Sequence, residues 1–158
     1  MLKKSFKIMI INIASLENSK NSKNIFVPVF KNKPLPKEEF FSYTPDWFRK
    51  LTPAFEKEFE GEEGETKILH STDAKQTIIV FGLGEKEKFN QRKLQTTARR
   101  MARHAKNGKI EELSIILRKD FGDTGNTSSL FATNILAANF EFNKYKERPK
   151  KGWPEIKK

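Results

Sequence analysis

Two imidazoles, His70 and His104, and no cysteine make up the stock of soft metal ligands and nucleophile-activating bases in a chain of 158 residues. The lack of cysteine excludes a disulfide scaffold, thiol catalysis and Cys-ligated zinc. A zinc site gathers three or four ligands, and neither histidine has a His or Cys partner at ligand spacing, so both read as ordinary surface or half-buried side chains. Glu56, Glu58, Glu60, Glu62, Glu63 and Glu65 form a dense anionic run. They lack the alternating Asp/Asn grammar of a calcium loop and read as a solvated face. Gly82, Leu83 and Gly84 follow an apolar run and precede a helical pattern, where an α/β fold places a phosphate loop. That gives one candidate site, with a plain turn as the competing reading, because neither Gly-x-Gly-x-x-Gly nor a Walker loop is completed. No Gly-x-Ser-x-Gly elbow occurs, and no catalytic or metal-ligating constellation can be assigned within this chain.

A second candidate comes from charge. The net charge of +11 lies in two places. Residues 92–109 hold seven bases and no acid, and residues 143–158 hold seven bases against two acids. In the first block Arg92, Arg99, Arg103 and Lys106 recur at helical spacing, opposite Leu94, Ala98, Met101, Ala102 and Ala105. Such a stripe is expected to face solvent or a partner. A row of cations can track phosphates and release counterions, which makes these four residues the candidate nucleic-acid contact, with DNA the partner. No aromatic stacking residues are interleaved with them, and a solvated helix face is the competing reading.

These groups need elements to position them. At 158 residues, with 36% hydrophobic and 11% aromatic content, the chain is sized for one folded domain rather than a disordered one. Strands are predicted over residues 6–13, 24–30, 66–71, 76–81 and 112–117. Residues 76–81 read as the central strand buried on both faces, and Pro28 assigns its strand to an edge, since proline has no amide to donate. Pro34 and Pro36 punctuate a loop. Thr44 and Pro45 offer a cap and first position for a helix that carries Phe48, Leu51, Phe55 and Phe59 on one face, interrupted or kinked at Pro53. A long helix runs from about Asn90 to Asn107, stopped by Gly108. Residues 122–129 read as a polar loop, and a last helix follows from Ser128 to about Asn143 through Phe131, Ile135, Ala138 and Phe142. The alternation predicts an α/β fold, a mixed sheet flanked by helices on both faces. Residues 1–143 form the domain, and 144–158 a basic linker or tail.

Lys3, Lys4 and Lys7 before an apolar run imitate a signal peptide, but Asn12 interrupts the run and Glu17 follows without a cleavage site, so a buried strand is the expected reading. No stretch approaches the roughly 20 apolar residues of a spanning helix. The expected location is cytoplasmic, without a membrane partner, and the sequon at Asn126 is read as coincidental.

The order of motifs resembles the N-terminal domain of the leucyl aminopeptidase (cytosol aminopeptidase) family of metallopeptidases. The residues that carry it are Phe59-x-Gly61-x-x-Gly64-Glu65, then Ile78 to Gly84, the helix from Leu94 to Ala105, and finally Ala137 to Lys146 with its Tyr145-Lys146 pair. The resemblance implies a small macro-domain-like α/β unit joined through a linker to a larger C-terminal catalytic domain. That later domain would hold two divalent metals, zinc or manganese, and all catalytic groups, so no residue of this chain inherits them and this chain alone is expected to be inactive. A homo-oligomer, a hexamer in the full-length protein, is implied, as is DNA binding in some bacterial members. Similarity to macro domains raises ADP-ribose as a ligand at Gly82 to Gly84.

Overall fold

A computed structural model describes residues 21–31, 44–117, 121–122 and 124–139. Four strands form one sheet: β1 (Asn24–Val29), β2 (Thr66–His70), β3 (Thr77–Gly82) and β4 (Ser114–Ile115), in spatial order β2-β3-β1-β4. β1 runs parallel to β3 and to β4, while β2 is antiparallel to β3, so the sheet is mixed. Three helices accompany it: α1 (Asp46–Glu58), α2 (Gln91–Asn107) and α3 (Thr124–Asn139).

Alternation along the two inner strands divides the core. Ile25, Val27, Val29, Ile78 and Val80 point to one face, where Phe48, Phe55 and Phe59 from the region of α1 cover them. Phe26, Ile79 and Phe81 point to the other, against Leu94, Ala98, Met101, Ala102 and Ala105 of α2 and Phe131 and Ile135 of α3. A period of two in the strands thus meets a period near 3.6 in the helices. Helices on both faces of a mixed sheet follow, as the alternation predicts.

Several local expectations are corrected. Pro28 lies in an inner strand, not at an edge. The reason is geometric: Val29 accepts from Leu83 and Phe26 accepts from Ile116, so alternate residues of β1 bond to alternate sides and Pro28 turns toward β4. β4 pairs only with Ile25 and Phe26, so the missing amide falls where the ladder has already ended. The strand expected over 112–117 is thus reduced to two residues. α1 begins at Asp46 with Pro45 as its cap and runs unbroken through Pro53. Phe48 and Phe55 are buried in its apolar stripe, whereas Leu51 is 41% exposed.

α2 starts as expected, with the Asn90 side chain accepting from the Lys93 amide. Its stop differs. Ile110 donates to Ala105 and Lys109 to Lys106, a Schellman closure in which Lys109 takes the left-handed conformation at φ 54°, while Gly108 stays right-handed at φ −78°. α3 begins at Thr124, inside the expected polar loop, because Thr127 and Ser128 are buried against the body of the domain. The strand expected over 6–13, the Pro34 and Pro36 loop, Phe142 and the tail 144–158 lie outside the described residues.

Candidate functional site

Gly82, Leu83 and Gly84 sit where β3 leaves the sheet and meets the turn that carries Gly61 and Gly64. Gly82 donates to the Glu65 carbonyl at 2.8 Å, Leu83 to Val29 at 2.9 Å and Gly84 to Gly61 at 2.9 Å. In return Gly64 donates to the Gly82 carbonyl at 3.0 Å. A phosphate loop works through backbone amides aimed at its ligand, and here all three amides are taken by carbonyls. The turn is itself held by Glu65, whose Oε2 accepts from the Gly61 and Glu62 amides at 2.8 and 3.0 Å. A Cβ on Gly82 would lie 1.9 Å from the Glu62 carbonyl oxygen, so only glycine permits this approach. The two glycine motifs, 21 residues apart from Gly61 to Gly82, form one junction in space. The sequence displays both motifs but not their pairing.

The four basic candidates are brought onto one side of α2, where Arg92, Arg99 and Arg103 are exposed and Lys106 is buried. Arg99 Nε donates to Asn134 Oδ1 of α3 at 2.9 Å, and Lys106, only 7% exposed, donates to the Asn139 carbonyl at 3.3 Å. Half of the stripe therefore contributes to the packing of α3 on α2. Sequence periodicity places residues around a helix axis but does not tell which neighbour will lie beside a long cationic side chain, whose stem packs well against apolar surface. The adjacent cations Lys93 and Arg100 reach Glu63 at 2.9 and 3.4 Å and tie α2 to the glycine turn. The hydrogen bond from Lys93 is the first cause that holds the Glu63 carboxyl below its ordinary range.

Two further members of the acidic run are likewise engaged. Glu62 pairs with Lys31 and Glu58 with Lys67, whose hydrogen bond lowers the Glu58 pKa. His70 Nδ1 lies 3.1 Å from Thr77 Oγ1 at the exposed end of β2. His104 stands edge-on to the rings of Phe26 and Phe81, at 6.0 and 5.9 Å, and burial pushes its pKa down. Among the described residues no three His, Cys, Asp or Glu side chains converge as a metal site.

One concavity is present that no sequence motif marked. It is a half-open cleft of about 350 Å³ beyond the carboxyl ends of β1 and β3, the location where open α/β sheets take ligands. Phe30, Phe89 and Phe121 form its aromatic wall, with ring centroids 5.0 to 5.7 Å apart, and Lys86 Nζ stands 6.0 Å from the Phe30 centroid. Leu94 and Leu130 close its floor and Asn90 and Asn126 its rim. The lining suits a small apolar or aromatic group. It holds no acid, base and nucleophile set for catalysis. Only the spacing of the three phenylalanines across 91 residues could have signalled it, and that spacing has no local pattern.

Comparison with known proteins assigns this architecture. The sequence model of the cytosol aminopeptidase family, N-terminal domain, matches residues 27–149. A curated relative from Synechocystis sp., described as a probable cytosol aminopeptidase, is 36% identical over 97 residues, covering 60% of this chain and 20% of its own length. The chain therefore spans about a fifth of that relative. Among solved structures, a mutant of tomato leucine aminopeptidase superposes with a TM-score of 0.60 at 19% identity, covering 81% of this chain and 27% of that one. The bottromycin maturation enzyme BotP superposes with a TM-score of 0.56 at 12% identity, covering 80% of this chain and 25% of its own. At such identities the two structures establish the fold. No described helix is long and apolar enough to cross a membrane.

Proposed function

The chain belongs to the cytosol aminopeptidase family, as its N-terminal domain, and on that premise we propose that it is the non-catalytic assembly and regulatory domain of a metal-dependent leucyl aminopeptidase. The observation that carries this reading is the match of residues 27–149 to the N-terminal domain of a family whose curated relative is about five times as long as the 97 residues it shares with this chain. Removal of N-terminal amino acids from peptides is then the work of a larger domain that follows in the same polypeptide.

Two divalent metals, zinc or manganese, belong to that following domain in this reading. The carboxylates described here do not fit them: Glu58, Glu62 and Glu63 face lysine or arginine, and Glu65 is held by two amides. Assembly as a homo-oligomer, a hexamer in the full-length protein, and a cytoplasmic location are part of the same proposal. Residues 1–143 are its folded domain and 144–158 the basic linker. Reading the gene beyond the Lys158 codon tests it. Several hundred further codons with an Asp-, Glu- and Lys-rich metal site are expected, and a stop codon would remove the reading.

Nucleic-acid binding through Arg92, Arg99, Arg103 and Lys106 has less support than this assignment, because Arg99 and Lys106 are engaged with α3. ADP-ribose or phosphate at Gly82 to Gly84 has less again, since the three amides are occupied.

A further inference from the structure

The aromatic cleft lies where the chain changes sides of the sheet. β1, β3 and β4 are parallel, so their carboxyl ends share one edge. From β1 the chain goes on to α1, whose Phe48 and Phe55 cover one face, whereas from β3 and β4 it goes on to α2 and α3 on the other. Connections that part to opposite faces leave a crevice outside the strand ends, and open α/β sheets take their ligands there. Phe30 follows β1, Phe89 lies between β3 and α2, and Phe121 lies between β4 and α3. Each of the three strand ends thus sends one ring to the same wall.

The lining has a definite chemistry. Phe30 is buried and stands edge-on to Phe89 and Phe121, at interplanar angles of 83° and 75°, while those two rings are half-buried. Beside Leu94 and Leu130 they form apolar surface that one further planar ring would take out of water, packing offset or edge to face. In a chain that is 32% charged, Lys86 is the one charged residue among the described residues of the lining, which include no Asp or Glu. Gln91 and Asn126 bring the amino ends of α2 and α3 to the rim, and the helix dipoles add positive potential there. The volume of about 350 Å³ is at the lower end of the roughly 300–1,000 Å³ of small-molecule sites, which suits one ring system with a short arm.

We propose that the cleft is a binding site for a small planar aromatic anion, an aryl carboxylate, with its ring against Phe89 and Phe121 and its carboxylate toward Lys86 and the two helix amino ends. One lysine matches one negative charge. Such a site is independent of the aminopeptidase reading, since it uses residues of this chain alone and no catalytic group.

The test records amide spectra of the isotope-labelled 158-residue chain during titration with indole-3-acetate, with its uncharged isostere indole-3-acetamide, and with acetate, which has the charge without the ring. Indole-3-acetate is expected to shift the amides of Phe89, Gln91 and Leu94 saturably, with a dissociation constant below about 1 mM. Indole-3-acetamide should bind at least about fivefold more weakly, and acetate should not saturate. Lys86→Met keeps the stem and removes the charge, so it should bring the two indoles to equal affinity. Lys75→Met, in the turn that precedes the amino end of β3, should leave their ratio unchanged. The dispersion of the same spectra reports that each variant is folded. Saturation confined to other residues, or none up to about 10 mM indole-3-acetate, would overturn the proposal. So would equal affinity for acid and amide in the unsubstituted chain, or a preference for the acid that survives Lys86→Met.

Discussion

A methyl group on Gly82 would meet the Glu62 carbonyl oxygen at 1.9 Å, so Gly82→Ala must force β3 and the Gly61 turn apart. The substitution is expected to cost at least about 3 kcal/mol in urea unfolding. Gly108, at φ −78° and with its nearest obstacle 3.4 Å away, should accept alanine within about 1 kcal/mol. Equal losses at the two sites would contradict the junction described above. His104 supplies a pH test at the same scale. Burial against Phe26 and Phe81 lowers its pKa from 6.5, so the unfolded chain binds the proton more readily than the folded one. Stability is therefore expected to fall as pH drops through 6.5 toward the folded pKa, and to be flat with respect to this group above it. An NMR titration of the imidazole should give a midpoint below 6.5, and a midpoint at or above that value would contradict the packing.

At the scale of elements, the basic stripe is the clearest division between what periodicity states and what packing decides. Lys106→Ala is expected to lower stability by about 2 kcal/mol, because it removes a buried stem and the hydrogen bond to Asn139. Arg103→Ala, on the exposed side, should change it by less than about 0.5 kcal/mol. Comparable effects in denaturant titrations would place the whole stripe in solvent. The central strand, the start and end of α2 and the apolar stripe of Phe48, Phe55 and Phe59 were legible because burial on two faces, an Asn cap and a helical period are local signals. The inner place of Pro28 was not, since it depends on β4 stopping after Ile115. Nor was the left-handed Lys109, where the neighbouring glycine suggested the cheaper conformer. The amino-terminal start of α3 was hidden by Gly125, Asn126 and Ser128, which resemble loop residues until tertiary contact buries Thr127 and Ser128.

For the molecule as a whole, the layered α/β fold and its family were readable from the order of motifs, whereas the packing contacts that residues of the two candidate sites also make were not. Gly82 to Gly84 close a turn, and half of the basic stripe seats a helix. What the local pattern could not display is a surface assembled from distant segments, namely the aromatic cleft. The cleft opens from a domain in which Glu58, Glu62 and Glu63 pair with lysine or arginine and Glu65 holds the glycine turn, and under the proposed function the chemistry belongs to the domain that follows. The most direct test of that account is aminopeptidase activity measured on the 158-residue chain and on the full-length protein in parallel, with leucine p-nitroanilide and added manganese or zinc. The account predicts release at background level by the 158-residue chain and metal-dependent turnover by the full-length protein. Sustained, metal-dependent turnover by the purified 158-residue chain would contradict it.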